Sequence, residues 1–416
     1  MRIQPQHSRY FEVGRFAARV AAAASVVVIA ACGRQQSSAR VAAATRQDAA
    51  PLQSDAEIRD RDIEYFLGRA KRDPSGAMDL AHVGALYLAR GRETGDPRDA
   101  ILAEQSARRS LKNRAVANVG AWQVLQSALL AQHRFDEAIK IAVAIRDREP
   151  ENPNLRAAVG DIQMELGQYD SARTSFANLH TALGDLNVGP RLARWAEIEG
   201  DPDKARRILH ATLVTAQKAT GVPREQMGWY WLRVGDVEMR TSHFRAADSA
   251  YKAGLVVHPD DHRLLSALAH NAALQQDWTS AITYGERAIG LTLDPATLGT
   301  LSDAYAAVGD TARSAQYAHV LDVAVLKQPG AYHRAWSLFL LDHDRHVATV
   351  SRKIREELKT RKDVYAYDLY AWSLHKQGRN AEAKQAMTLA LREGTRDPQL
   401  VRHTDEIDRS LAVAAR

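Results

Sequence analysis

Only one of the 416 residues is cysteine, Cys32, so no disulfide can form within the chain and no cysteine cluster can hold a metal. No apolar stretch reaches the roughly 20 residues that a membrane-spanning helix needs. The most apolar run extends only from Val20 to Ala31. Also missing are a Gly-rich phosphate loop, a Gly-x-Ser-x-Gly elbow, a His-Glu-x-x-His pair and a calcium-binding loop. A concentrated basic face is lacking too. The formal net charge is +6, half of it in residues 1–31, which leaves 52 basic and 49 acidic side chains in residues 32–416. That balance excludes a nucleic-acid reader built on a basic surface. With 45% hydrophobic and 25% charged residues, the chain has the composition of a folded protein.

What is present begins with a leader. Arg2, Arg9, Arg15 and Arg19 precede the apolar run, which ends in small residues, as in a secretory signal. The ending Ile29-Ala30-Ala31-Cys32 resembles the lipobox of bacterial lipoproteins. The resemblance implies that residues 1–31 are removed and that Cys32 receives a diacylglyceryl group and a further acyl chain on its amine. Several acyl chains, at about 0.8 kcal/mol per buried methylene, hold a protein to a membrane stably. Gly33 after the cysteine resembles lipoproteins sorted to the outer membrane. The expected location is therefore exported and lipid-anchored, facing the periplasm where the source has two membranes. Residues 32–56 show no apolar period and read as a flexible tether.

From residue 57 the pattern is helical, with Ile63, Phe66, Leu67 and Ala70 on one face. A repeat then decides the fold class. Trp122 precedes Ala138 by the same interval at which Trp231 precedes Ala247, and Pro150 and Pro259 follow those alanines at equal intervals. Ala138 and Ala172 are 34 apart, as are Ala247, Ala281 and Ala315, and Ala383 follows two periods later with Thr349 at the midpoint. Ala100 and Ala205 join with slips. Two helices close tightly only where the crossing carries Ala or Gly, while Trp122, Phe176, Trp231, Tyr251 and Trp278 fill the space to the next pair. Proline ends the second helices. This spacing is similar to the tetratricopeptide repeat and predicts an all-α solenoid, a right-handed superhelix of about nine helical hairpins over residues 57–397. The step from Ala205 to Ala247 exceeds the period and predicts longer helices around Gly221-Val222-Pro223. A capping helix is expected in 398–416, with Thr404 as its N-cap and Ile407 and Leu411 on its apolar side.

First helices line the inner face of such an array, and the residue after the crossing glycine points inward. Asp161 and Asp236 occupy that slot and Asp303 lies in or beside it, with Met164, Glu165, Met239 and Arg240 one turn on from the first two. Trp229, Tyr365 and Trp372 are candidate aromatic anchors, with core packing the stronger fate for Trp372. Two readings stand: an acidic stripe for a basic or helical peptide, or small polar residues that merely suit the repeat. The group Asp342-His343-Asp344-x-His346 has zinc-type ligands and is the one place for a metal-dependent hydrolase, although polar residues belong at an interhelical turn in any case. His133, His180 and His243 share no motif with a nucleophile.

Arg92-Glu93-Thr94-Gly95-Asp96, Gln132 to Ala138, Ala371-Trp372-Ser373-Leu374 and Gly394-Thr395-Arg396-Asp397 resemble signatures of a bacterial tetratricopeptide family, over most of residues 60–403. That family has no settled biochemical activity. The resemblance implies the fold and no reaction. The expectation is an envelope scaffold or assembly factor, not an enzyme, with no cofactor, no bound metal and no nucleic acid. Its partner is an envelope protein or peptide held in the groove of Asp161, Trp229, Asp236, Arg240 and Asp303.

Overall fold

The computed structural model describes residues 54–177, 179, 183–326 and 334–414. The leader, Cys32, nearly all of the tether and His180 lie outside the described residues. Among the described residues there are twenty helices and no strand. None of these helices is long and apolar enough to cross a membrane.

Helix α1 (Asp55–Arg72) precedes nine helical hairpins. The first three pair α2 (Met78–Thr94) with α3 (Arg98–Asn113), α4 (Val119–Ala131) with α5 (Phe135–Arg146), and α6 (Pro153–Glu165) with α7 (Tyr169–Phe176). The next three pair α8 (Gly189–Ile198) with α9 (Pro202–Lys218), α10 (Arg224–Arg240) with α11 (Phe244–Val257), and α12 (His262–Leu274) with α13 (Trp278–Leu291). The last three pair α14 (Pro295–Ala307) with α15 (Thr311–Leu326), α16 (Arg334–Asp342) with α17 (Val347–Glu357), and α18 (Val364–His375) with α19 (Asn380–Ala390). Helix α20 (Pro398–Ala414) follows.

The crossings explain the spaced small residues. A Cβ added to Gly235 would lie 2.2 Å from the Tyr251 ring, and one on Gly160 would lie 2.8 Å from Phe176. Only a glycine lets these second-helix aromatics sit so close. Ala138, Ala172, Ala205, Ala247, Ala281 and Ala383 are all fully buried. The ladder slips at two steps. Ala315 is exposed; Ser314, one residue earlier, faces the crossing, and its carbonyl accepts a bond from the Ser302 hydroxyl at 3.0 Å. Thr349 is only half-buried while Val350 is fully buried. Helices α9 and α10 have 17 residues each against 13 in α12, which accommodates the longer step between Ala205 and Ala247.

The last helix starts earlier than its predicted cap. Pro398 opens it, and Asp397 accepts a bond from the Gln399 amide at 2.9 Å. Proline in a first turn has its φ already set and lacks only an amide that would go unused. Thr404 lies inside the helix and donates to the Leu400 carbonyl at 2.7 Å.

The array coils back on itself. The Val364 amide donates to the Tyr169 hydroxyl at 2.7 Å, Arg392 to the Gly167 carbonyl at 2.9 Å, and Arg173 pairs with Glu393 at 3.0 Å. Farther along, the Thr292 hydroxyl donates to the Thr94 carbonyl at 3.0 Å. Accordingly one apolar core unites Tyr169, Phe176 and Trp195 with Leu374, Met387 and Ile407.

Candidate interaction site

The positions that follow Gly160, Ala193, Gly235, Ala269 and Ser302 hold Asp161 on α6, Arg194 on α8, Asp236 on α10, His270 on α12 and Asp303 on α14. Stacking these helices brings opposite charges within reach. Arg194 bonds Asp161 at 3.1 Å and Glu165 at 2.7 Å, and Arg361 reaches Glu165 at 3.0 Å. Arg240 holds Glu197 at 2.5 Å, with Arg233 3.7 Å from the same carboxylate. Asp236 is held by Arg233 at 3.1 Å and by the Tyr251 hydroxyl at 3.1 Å, both from its own hairpin. Burial alone would lower the Arg194 and Arg240 basicity, yet the adjacent carboxylates outweigh it and both are raised. Glu165 is opposed by burial and pulled down overall by Arg194 and Arg361. All three therefore stay charged at neutral pH.

A cavity of about 630 Å³ opens on this face. Its lining carries Asp161, Glu197 and Glu225, and Trp229 and Tyr365 supply aromatic surface. Five arginines, Arg92, Arg191, Arg194, Arg233 and Arg240, also line it. A second cavity of about 220 Å³ shares Glu197, Arg240 and Tyr365 with the first. Burial pushes the Tyr365 phenol up to about 12, so it remains a neutral donor. Trp229 is half-buried and meets the Tyr230 ring edge-on, with centroids 5.2 Å apart. Tyr230 is fixed in turn by donating to the Leu186 carbonyl at 3.0 Å.

Of the residues expected on the groove, Asp161, Trp229 and Arg240 line the large cavity together, joined by Tyr365. Asp236 is bound within its own hairpin, and Asp303 lies elsewhere on α14, 2.8 Å from His343. Around Asp161 and Arg240 the lining is a ladder of ion pairs with arginine in excess. Met164 is fully buried in the core, so it offers no soft surface to the groove. Trp372 is buried as well, stacked on His403 at 4.1 Å and donating to Asp342 at 2.8 Å. Of the five arginines only Arg240 was marked by its place in the repeat; Arg92, Arg191, Arg194 and Arg233 were not. Arg194 falls one repeat after Asp161, but its crossing residue is Ala193 and no glycine marks the slot.

The family profile for tetratricopeptide repeats matches residues 129–179, spanning the end of α4 through α7. That match falls on the 34-residue step between Ala138 and Ala172, with its buried alanines and the Gly160 crossing. The chain carries a tetratricopeptide repeat, and its fold is the tetratricopeptide-type solenoid. Its fold is similar to a chain of the APC/C hetero-tetramer Cut9–Hcn1, at 16% identity and a TM-score of 0.47 over 78% of this chain. This chain spans 55% of that one. It is similar also to human IFIT1, solved as a dimer with PPP-AAAA, at 14% identity and a TM-score of 0.43, covering 82% of this chain and 96% of that one. PilW, a type IV pilus biogenesis factor, matches at 15% identity and a TM-score of 0.33, covering 62% of this chain and 98% of the other. No curated protein matches the sequence.

In this repeat protein the Asp342–His346 group is dispersed. Asp342 accepts from Trp372, His343 turns to Asp303, and Asp344 pairs with Lys376 at 2.9 Å. His346 takes a left-handed backbone at the start of α17. Among the described residues no group of three or more His, Cys, Asp or Glu side chains is placed to hold a metal ion. Of the other histidines, His133 sits at a turn with φ of +56°, and His243 lies 3.1 Å from Glu238.

Proposed function

We propose that this protein is an interaction scaffold or assembly factor of the bacterial cell envelope, anchored by lipid at Cys32, that grips a protein or peptide partner on its inner face. Arrays of helical hairpins are in general interaction scaffolds, since stacking leaves extended surface and no built catalytic pocket. The observation that carries the reading is the cavity of about 630 Å³ beside Trp229, where a half-buried aromatic meets fixed charges. Aromatic and arginine side chains in such pockets are the usual anchors of protein interfaces. The leader and the Ile29–Cys32 ending support export and anchoring, which would put the partner at the membrane, in the periplasm where the source has two membranes.

A photo-crosslinking amino acid at position 229, irradiated in intact cells, tests the reading. One or a few envelope proteins should be captured, and the same label at exposed Arg245 should not capture them. Equal capture from both positions would refute the inner-face site. Cys32→Ser should release the protein from the membrane fraction or block its processing, and a normally processed variant retained on the membrane would refute the anchor.

A further inference from the structure

We propose that the cavity beside Trp229 takes an acidic segment of a protein partner, with an aromatic or large apolar side chain against Trp229 and carboxylates on Arg92 and Arg191. The inference rests on the reading of the inner face as the partner site and adds the chemistry of what enters.

The charges of the lining leave two arginines over. Arg194 is engaged by Asp161 and Glu165, and Arg240 and Arg233 by Glu197 and Asp236. Arg191 is 3.9 Å from Asp161, a carboxylate already held by Arg194, and its Nη1 donates to the Asn187 carbonyl at 2.5 Å. Its Nε is buried with no hydrogen-bond partner. Arg92 is 3.6 Å from Glu225, which Arg263 already binds at 2.7 Å, and its side chain is 55% exposed. A buried donor without an acceptor is costly; the Arg191 side chain is nonetheless 33% exposed, so an incoming carboxylate meets its accessible part and leaves the enclosed Nε as it is. Guanidinium groups also pair with carboxylates through two parallel bonds.

The charge excludes other occupants. Residues 33–53 of this same chain carry Arg34, Arg40 and Arg46 against one acid, Asp48, and would be repelled. A nucleic acid carries a phosphate at every nucleotide and would set some against Asp161, Glu197 and Glu225, whereas a peptide can place its carboxylates at Arg92 and Arg191 alone. A basic peptide would compete with the arginines for those three carboxylates.

The purified full chain is panned against random dodecapeptides displayed on phage, and enriched peptides are titrated by tryptophan fluorescence. Enriched peptides should carry two or more Asp or Glu beside an aromatic or large apolar residue. Arg92→Ala with Arg191→Ala should weaken them about tenfold or more, through loss of two charge-assisted pairs. The paired Lys substitutions should keep most of the affinity, which separates lost charge from lost fold. Arg245→Ala should change nothing, and Trp229→Phe should weaken binding and shrink the fluorescence change. Enrichment of Lys or Arg, or acidic peptides indifferent to the double Ala variant, overturns the inference. In that case the partner-site reading survives if Trp229→Phe still weakens the peptides. Stronger competition from a peptide of residues 33–53, or from a single-stranded oligoadenylate, also overturns it. No enriched peptide at all, together with no crosslink from position 229, defeats both readings.

Discussion

In hairpin α6–α7, Gly160 meets Phe176 and is followed by Asp161; in hairpin α10–α11, Gly235 meets Tyr251 and is followed by Asp236. The local pattern is the same and the surroundings are not. Asp236 finds both partners inside its hairpin, whereas Asp161 depends on Arg194 from the next one. The second helices differ as well, 8 residues in α7 and 14 in α11. The start of α18 packs at the α6–α7 turn, where a Cβ on Gly167 would lie 2.2 Å from the Lys362 carbonyl oxygen. The aspartate of one hairpin is thus matched locally and that of the other is completed by the next hairpin, while both first helices reach the cavity, α10 through Trp229 and Arg240 and α6 through Asp161. A shared repeat pattern fixes how two helices cross and leaves open what their inner face meets.

The largest effect expected is at the crossings. Gly235→Ala forces a methyl into the Tyr251 ring and should cost about 2–3 kcal/mol, read from urea unfolding. Gly160→Ala should cost less, about 1–2 kcal/mol, because the Phe176 contact is longer. The reverse order would break the equivalence of the two crossings. Ala247→Leu, at a fully buried site, should cost about 1–3 kcal/mol.

Next comes the source of each hairpin's charge partners. Arg361→Met leaves Glu165 with one partner fewer and Asp363, which Arg361 also binds, without that cation. The loss should be about 2 kcal/mol, since stripping one partner from a buried pair strands the other charge. Arg233→Met should cost about 1 kcal/mol or less, because Asp236 keeps the Tyr251 hydroxyl. Equal costs would show that the long-range pairs add nothing special to α6–α7.

A pH dependence sharpens the same point. Burial pushes the Glu357 carboxyl up to about 7, with Arg361 opposing and Asp363 adding to the rise. Asp363 is itself raised by burial, and Glu165 on α6 faces the same Arg361. A carboxyl raised on folding stabilises most below its unfolded pKa, and that stability is lost as pH climbs through about 7. The melting temperature should therefore fall between pH 5 and pH 8, and Glu357→Gln should flatten this part of the profile. A variant with the wild-type slope would remove Glu357 from the account.

The smallest effect separates the two aspartates themselves. Asp161→Asn frees Arg194 and Arg191 toward the cavity and should tighten an acidic peptide about threefold, through relief of like-charge repulsion. Asp236→Asn should change that affinity less than about twofold, because its charge is already matched within the hairpin. Titration of both variants with one peptide checks the ordering.

Much of this was legible in the residues. The 34-residue step of small residues set the hairpin count, and Ser314 and Val350 mark where one-residue slips escaped it. Trp229 and Arg240 were readable because position in a first helix fixes which way a side chain points. Arg191 and Arg92 were not. Arg92 sits near a turn and Arg191 at the start of α8, and neither belongs to the repeat pattern. Cys32 belongs to the sequence alone, since it falls outside the described residues.

The sequence by itself determined that these helices pair and where they cross. Those contacts join residues of successive helices, so propensity, spacing and side-chain volume all act within one hairpin. Only the tertiary structure decided that Val364 meets Tyr169, that Arg361 reaches Glu165, and that arginine outnumbers acid around Trp229. Such pairings depend on the coiling of the whole array, which sums a small rotation at every hairpin interface. No local pattern encodes that sum, and a change in it would give the same inward slots different partners.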